Sequence, residues 1–153
     1  MSLRYIKANI NDIEILTKYR IKVLRAANKL DEAVDMSLVE QQSYEYYKNS
    51  LKDESHIAYL VFDKDKVIGT GGVSFYRVMP TYNNSTGLNA YIMNMYTAPE
   101  YRRKGIAYKT LDLLVSEAKE KGILHISLEA TNMGRPLYEK YGFVKMNNEM
   151  ELL

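Results

Sequence analysis

The sequence predicts a single α/β domain, residues 1–153, whose mixed sheet is mostly antiparallel with one parallel crossover and about four helices. Two strand-like runs, 57–62 and 67–75, are joined by the short polar connection 63–66, which is typical of an antiparallel hairpin. A strand–helix–strand order within 91–130 requires a parallel crossover in the same sheet. A chain of 153 residues suits one domain of ordinary size, which needs no disulfide or metal to fold.

The first third of the chain predicts a short strand followed by two helices. Residues 3–8 alternate weakly between two faces and predict the strand. Asn11 and Glu14 have the spacing of a helix-capping pair, so the first helix is expected to begin at Asn11. Its apolar face consists of five side chains: Leu16, Tyr19, Val23, Leu24 and Ala27. A second helix is expected over about 38–51.

The middle of the chain predicts further strands and one long helix. Three glycines inside the run 67–75 predict a β-bulge or a close approach of the backbone: Gly69, Gly71 and Gly72. Turn-forming residues predict a loop over 77–89, and the next strand is expected over 91–97. A helix with a clear apolar stripe follows over about 105–121, and Gly122 lies where a C-terminal capping glycine belongs.

The last thirty residues or so predict a strand, a short helix and a hairpin. Residues 123–130 are typical of a buried strand, and 136–141 of a short helix that ends at a glycine. The runs 143–146 and 150–153 predict a final hairpin around the two asparagines between them.

The composition limits the classes of function. The formal net charge of +2 is too small for a nucleic-acid-binding module, and the basic cluster is not interleaved with aromatic residues. The absence of cysteine excludes disulfides, thiolate metal sites and a cysteine nucleophile, and it fits a reducing cytoplasm. Without a signal-like stretch or an apolar run of about 18 residues, no membrane association is expected. His56 and His125 lack the spacing of metal ligands, so structural roles are expected for both.

The most informative segment is 99–107, between a predicted strand and the predicted start of the long helix. A helix N-terminus presents unpaired N–H groups and the positive end of the helix dipole, so it binds anions. Gly105 and the small Ala107 let a phosphate approach the backbone, and three cations stand at the same place: Arg102, Arg103 and Lys104. The alternative is a solvated basic loop before an ordinary helix. Neither a nucleotide P-loop nor the dinucleotide glycine fingerprint is present.

Two blocks of sequence resemble a known family. Arg102-x-x-Gly105-x-Ala107 matches the Arg/Gln-x-x-Gly-x-Gly/Ala signature of the GNAT superfamily of N-acetyltransferases, and the surrounding residues 96–107 look like that family throughout. The block 137–143, Leu-Tyr-Glu-Lys-Tyr-Gly-Phe, is similar to the family's C-terminal motif and lies at the required distance. The predicted order of elements also matches over nearly the whole chain. The resemblance implies a GNAT-like acyl-CoA N-acyltransferase fold.

The resemblance also implies acetyl-CoA as co-substrate and no metal. By analogy, the pyrophosphate is held by Arg102, Arg103, Lys104, Gly105, Ile106 and Ala107. The strand before them is expected to separate from its parallel neighbour, so that its backbone pairs with the pantetheine arm like an added strand at Met95, Tyr96 and Thr97. Asn132 lies near a family asparagine that contacts the cofactor.

The family's reaction is direct attack of an amine on the thioester, which needs two proton transfers and a donor to the developing oxyanion. Tyr138 matches the tyrosine of the C-terminal motif and is the candidate acid for the leaving thiolate; the alternative is a packed aromatic residue. Many relatives place a glutamate near the start of the strand before the cradle, but 90–94 contains no carboxylate. Glu129 is the candidate base. The alternatives are that Glu129 is only a surface carboxylate and that a water molecule accepts the proton instead. The backbone N–H of Met95 is the candidate oxyanion donor.

The expected function is an N-acetyltransferase that moves the acetyl group from acetyl-CoA directly to a primary amine of a small molecule or a peptide. The alternative is a non-catalytic acyl-CoA-binding or sensing module. The acceptor would be selected by the segments 28–51 and 77–89. In the first segment, the acidic side chains of Asp31, Glu32 and Asp35 would either attract a cationic amine or form a solvated loop. Dimers are common in the family, so a homodimer is one expected assembly, and the cytoplasm is the expected location.

Overall fold

A five-stranded mixed sheet forms the centre of the computed structural model, which describes residues 2–153. The strands are β1 Leu3–Lys7, β2 His56–Asp63, β3 Lys66–Arg77, β4 Leu88–Thr97 and β5 His125–Leu128. They lie side by side in chain order; β1 to β4 are antiparallel neighbours, and β5 is parallel to β4. The prediction of a mostly antiparallel sheet with one parallel crossover is confirmed.

In the part of the chain that the structure describes, four helices pack on the sheet. They are α1 Ile13–Asn28, α2 Ser37–Ser50, α3 Ile106–Glu120 and α4 Arg135–Tyr141. Short 3-10 turns, Ile10–Asp12 and Pro99–Tyr101, precede α1 and α3. Helix α3 makes the crossover between the parallel strands β4 and β5. Within residues 2–153, no helix is both long enough and apolar enough to cross a membrane.

The start of the first helical segment differs from the prediction. The capping pair is Asn9 with Asp12, not Asn11 with Glu14: the Asn11 backbone N–H donates to the Asn9 side chain at 2.8 Å. The Asp12 carboxylate in turn accepts from the Asn9 backbone N–H at 2.8 Å. A capping residue needs an extended backbone, which Asn9 has with φ −131° and ψ −174°.

Side chains of β2 alternate between two cores, one on each face of the sheet. Ile57 and Tyr59 pack on one face against α3, where the core includes Leu111, Leu114, Val115 and Ala118. Ala58 and Leu60 pack on the other face, against Leu16 of α1 and Tyr47 of α2. Because successive strand residues point to opposite faces, α1 and α2 lie on one side of the sheet and α3 on the other.

The glycines of β3 mark the bulge and the close approach that the sequence predicts. The pairing of β3 with β4 shifts between Thr70 and Gly72, opposite Asn94, whose φ of +59° is left-handed. A Cβ added to Gly71 would lie 2.7 Å from Cγ2 of Thr110 on α3. Only glycine therefore lets α3 pack this close to the sheet.

The final hairpin predicted for 143–153 is wrong. No strand follows α4 in the residues that the structure describes. The ring of Phe143 packs against the rings of Tyr138 and Tyr141, but the next apolar side chains have no such surface, and Val144 is 83% exposed. Two short strands that pack on nothing are only marginally stable, so the alternating pattern alone does not form a hairpin here.

Candidate active site

A backbone cradle lies where β4 leads into α3. Arg103 and Gly105 both have left-handed backbones, with φ +62° and +80°. Helix α3 begins without a side-chain cap and without an acidic residue in its first turn. Its first intrahelical bond is donated by Lys109 to the Gly105 carbonyl at 3.1 Å, so the N–H groups of residues 106–108 precede the helical ladder. This N-terminus can receive an anion.

The side chains of the cradle are basic and exposed. Arg102, Arg103 and Lys104 all lie at the surface beside these N–H groups. The Arg102 guanidinium donates from Nε to the Thr97 carbonyl at 3.1 Å, and its Nη1 lies 3.8 Å from Sδ of Met133. The loop before α4 therefore lies against the cradle.

The edge of β4 towards β5 is paired over only part of its length. Residues 89–92 pair with β5, whereas β4 continues to Thr97 and has no β5 partner from Met93 onwards. The two parallel strands therefore separate where the cradle is approached. Backbone N–H and C=O groups on such an edge can pair with an extended chain. Next to this edge, the buried Thr97 hydroxyl has no hydrogen-bond partner among the described residues.

These features fit acetyl-CoA in charge and in shape. A Cβ built on Gly105 would meet no heavy atom within 4 Å, so the space above the cradle backbone is open. The diphosphate suits the N–H groups and the three cations, and an extended arm with two amides suits the free edge of β4. Within residues 2–153, no group of three or more histidine, aspartate or glutamate side chains is placed to hold a metal ion.

Both predicted catalytic side chains line one cavity of about 440 Å³, called here the Tyr138 cavity, between β5, α4 and residues 143–149. Tyr138 is 9% exposed, and burial raises the pKa of its hydroxyl. No residue that the structure describes forms a hydrogen bond with that hydroxyl. Glu129 is exposed directly after β5, and Asn132 is exposed three residues further on. The cradle residues do not line this cavity.

A second cavity of about 460 Å³, called here the Tyr46 cavity, lies on the α1–α2 face of the sheet. Its lining comes from both helices and from β2, β3 and β4: Arg20, Gln42, Ser43, Tyr46, Tyr47, Ser55, His56, Ser74, Phe75, Tyr76, Met93 and Asn94. Sequence reasoning misses this cavity because its residues are far apart in the chain and form no local motif. The predicted acceptor segment 28–51 contributes through α2, whereas the segment 77–89 does not line it.

A hydrogen-bond network forms one wall of the Tyr46 cavity. The Tyr46 hydroxyl lies 2.7 Å from the Ser74 hydroxyl and 3.0 Å from Nδ1 of His56, which is also 3.0 Å from Ser74. Burial, followed by the positive charge of Arg20, lowers the pKa of His56 to about 4, so the imidazole is neutral near pH 7. Arg20 donates to Oδ1 of Asn94 at 3.1 Å.

The acidic residues of 28–36 do not reach this cavity. Asp31 accepts the Ala33 N–H at 2.8 Å, and Asp35 accepts the Ser37 N–H at 2.9 Å at the start of α2. Asp31, Glu32 and Asp35 are all exposed. Their exposure and these local hydrogen bonds fit a solvated loop; whether these carboxylates attract a cationic amine stays a prediction.

Comparisons with known proteins bear on the family and the fold. Residues 24–143 match the model of the acetyltransferase (GNAT) family. A predicted acetyltransferase from Clostridium acetobutylicum, crystallised with acetyl-CoA, is 36% identical, with a TM-score of 0.90 over 99% of this chain and 96% of its own. Two others share the fold at lower identity. A GCN5-related N-acetyltransferase from Ralstonia eutropha is 22% identical (TM-score 0.85, 99% of both chains). The glucosamine-6-phosphate N-acetyltransferase of Arabidopsis thaliana is 15% identical (TM-score 0.71, 100% and 99%). No curated protein matches.

Proposed function

This chain belongs to the GNAT family of acetyl-CoA-dependent acetyltransferases, and from that premise we propose that it transfers the acetyl group directly to a primary amine of a small molecule or peptide. One observation carries the proposal: the free edge of β4 runs into the uncapped N-terminus of α3. An edge that accepts an extended arm is thus followed at once by a site for a diphosphate.

The co-substrate is held by two groups of residues in this proposal. The backbone of Met95, Tyr96 and Thr97 pairs with the pantetheine arm, since β4 has no β5 partner there. The diphosphate is bound by the cradle: Arg102, Arg103, Lys104, Gly105, Ile106 and Ala107. Asn132 is proposed as a further contact, because the neighbouring Met133 touches Arg102.

Acetyl-CoA, when bound, supplies the acetyl group as an activated thioester. In the transfer, the amine nitrogen bonds to the carbonyl carbon, and the carbon–sulfur bond breaks with its electron pair going to sulfur. The Met95 N–H donates to the carbonyl oxygen as negative charge develops on it. Tyr138 gives its hydroxyl proton to the leaving sulfur. Its raised pKa keeps Tyr138 protonated but weakens it as an acid, so a modest contribution is expected.

The proton lost by the amine needs an acceptor. Glu129 lines the same cavity as Tyr138, and Tyr76 of this cavity also lines the Tyr46 cavity, so the two cavities adjoin; this supports Glu129 as the base. Its exposure also lets water reach this place, so a water between the amine and Glu129 is part of the proposal. A cytoplasmic location and a homodimer remain predictions from the sequence.

The test is a screen for release of CoA from acetyl-CoA. The panel contains simple amines, polyamines, aminoglycosides, amino sugars, amino acids and peptides. Because the chain has no cysteine, a thiol-reactive dye reports free CoA without background from the protein. We expect CoA release with at least one class, together with an N-acetylated product identified by mass spectrometry. Tight binding of acetyl-CoA with no release across the panel would instead indicate a non-catalytic acyl-CoA-binding module.

A further inference from the structure

The Tyr46 cavity adjoins the segment that we propose for the acetyl-bearing arm. Met93 and Asn94 line it, and the next residue, Met95, begins that segment of β4. The left-handed backbone of Asn94 and the bulge opposite Gly71 lie at the point of β4 where the cavity lining ends and this segment begins. An amine held in the cavity is therefore beside the end of the arm.

The charge of the cavity is carried by one residue. Among residues 2–153, Arg20 is the single charged side chain in its lining, which includes no aspartate or glutamate. No carboxylate among residues 2–153 lies within 4.0 Å of the Arg20 guanidinium, whose hydrogen bond goes to the neutral Asn94. A guanidinium has five N–H donors, so most of them are available to a ligand. A half-buried cation without a counter-ion favours an anion beside it.

Besides burial, the positive charge of Arg20 acts to lower the pKa values of two side chains that line the cavity, Tyr47 and His56. Burial raises the pKa of Tyr47 to about 12 and lowers that of His56 to about 4, and Arg20 is the next influence on each. No carboxylate contributes to either shift. The remaining polar groups, including the hydroxyls of Tyr46 and Ser74, are neutral hydrogen-bonding partners.

We propose that this cavity is the acceptor site and that Arg20 selects a small primary amine bearing a carboxylate or phosphate group. The proposal rests on the acetyltransferase function proposed above. Arg20 pairs with the anionic group, while the same charge disfavours the ammonium form of the amine and so favours the neutral form that attacks. A volume of about 460 Å³ holds a molecule the size of an amino acid or an amino sugar. Polycationic acceptors are disfavoured.

Matched pairs of acceptors test the anion. One pair is an α-amino acid and its amide; the other is glucosamine 6-phosphate and glucosamine; spermidine represents polycations. We expect kcat/KM about 10- to 100-fold higher for the anionic member of at least one pair, since charge-assisted hydrogen bonds are worth that factor. The pair that responds identifies carboxylate or phosphate as the group bound. Equal values within both pairs, or a preference for spermidine, would overturn the proposal.

Variants test Arg20 itself. Arg20→Gln should remove the preference for the anion, because kcat/KM for the anionic acceptor should fall about 10- to 100-fold and that for the neutral partner much less, and Arg20→Lys should restore part of the preference. Lys18→Gln, which removes the same charge from an exposed position of α1, is the control and should keep the preference. A preference that survives in Arg20→Gln would contradict the assignment, as would a loss in Lys18→Gln.

Binding separates this proposal from the proposed function. Calorimetry on the protein with CoA uses the N-acetylated forms of the same compounds, so it needs no turnover. If no amine releases CoA but the anionic products still bind at least 10-fold more tightly than the neutral ones, the acetyltransferase proposal fails and the anion site stands. If amines are acetylated but neither rates nor binding favour the anion, the acceptor proposal fails alone.

Discussion

The two histidines of this chain lie in opposite environments. His56 is 3% exposed at the start of β2, with Nδ1 in the network of Tyr46 and Ser74 and with Nε2 buried and unpartnered within the described residues. His125 is exposed at the start of β5. His56 is therefore a buried part of the cavity wall in contact with the Tyr46 and Ser74 hydroxyls, and the structural roles expected for the two histidines stay predictions.

The buried state of His56 predicts a loss of stability in acid. The unfolded chain takes up a proton near pH 6.5, whereas burial holds the folded pKa at about 4, so the contribution of neutral His56 is full above pH 6.5 and falls as the pH drops towards 4. Between pH 7 and 4.5 this amounts to roughly 2–3 kcal/mol. Urea unfolding should show that loss in wild type and His125→Gln but a smaller one in His56→Gln. Equal losses in all three would contradict the burial argument.

The hydroxyl of Tyr138 permits a clean test of the acid role. Because none of residues 2–153 hydrogen-bonds to it, Tyr138→Phe should change the free energy of unfolding by less than about 0.5 kcal/mol. If Tyr138 is the acid, the variant should lose about 10- to 100-fold in kcat, and its affinity for acetyl-CoA should be unchanged.

Tyr141→Phe is the matched control for Tyr138→Phe on the same helix. The Tyr141 hydroxyl donates to Asp112 at 2.7 Å, so its loss should cost about 0.5–1.5 kcal/mol of stability with kcat unchanged. An unchanged kcat in Tyr138→Phe, with chemistry shown to limit the rate, would leave water as the proton source.

Residues of the two sites differ in how far the sequence reveals them. The cradle residues are contiguous in the sequence, so the glycine, the small residue and the three cations can be recognised within six positions, 102–107. The Tyr46 cavity is assembled by packing: Arg20 and Asn94 meet across 74 residues of chain, and Tyr46 meets Ser74 across 28. No local pattern encodes those contacts, so side chains such as Arg20 appear in the sequence as ordinary helical residues.

At the scale of elements, α3 has a left-handed glycine at each end, and the two offer a controlled comparison. Gly105 has φ +80° and Gly122 has φ +75°, and a Cβ on either would meet no heavy atom within 4 Å. Ala at either position should therefore cost about 1–2 kcal/mol of stability through backbone strain alone. Only Gly105→Ala should also raise the Kd for acetyl-CoA, on the order of tenfold, because its Cβ would stand where the phosphate approaches. Equal affinities in both variants, measured by calorimetry, would move the diphosphate site elsewhere.

Elements that pack against a neighbour are predicted well, and those that do not are predicted poorly. The apolar stripe of α3 meets the sheet, and its predicted span of 105–121 agrees with the observed Ile106–Glu120 within one residue. The hairpin predicted for 143–153 has equally apolar residues but no surface to cover, and it is absent from the described structure. The spacing of apolar residues indicates which face an element would bury. Whether the element forms depends on a neighbouring surface against which that face can pack.

At the scale of the whole molecule, β4 connects the two sites. Before its bulge, Met93 contributes to the Tyr46 cavity on the α1–α2 face. After the bulge, Met95 lies against α3 on the opposite face, since a Cβ on Gly71 would contact Met95, Thr110 and Leu114 together. The free edge from Met93 to Thr97 then leads into the cradle. One strand therefore aligns the proposed acceptor, arm and diphosphate positions.

This arrangement predicts which part of the co-substrate stabilises the fold. Acetyl-CoA at about 100 times its Kd should add roughly 2.7 kcal/mol to the free energy of unfolding, which for a chain of this size raises Tm by roughly 5–11 °C. Adenosine 3′,5′-bisphosphate and ATP carry phosphates for the cradle but no arm for the edge of β4, so at equal concentration each should shift Tm by less than half as much. Added salt should weaken the binding of all three compounds, because it screens the exposed cations of the cradle. A bisphosphate shift equal to that of acetyl-CoA would show that the arm makes no stabilising contact with β4, and the role of Met95, Tyr96 and Thr97 would then be rejected.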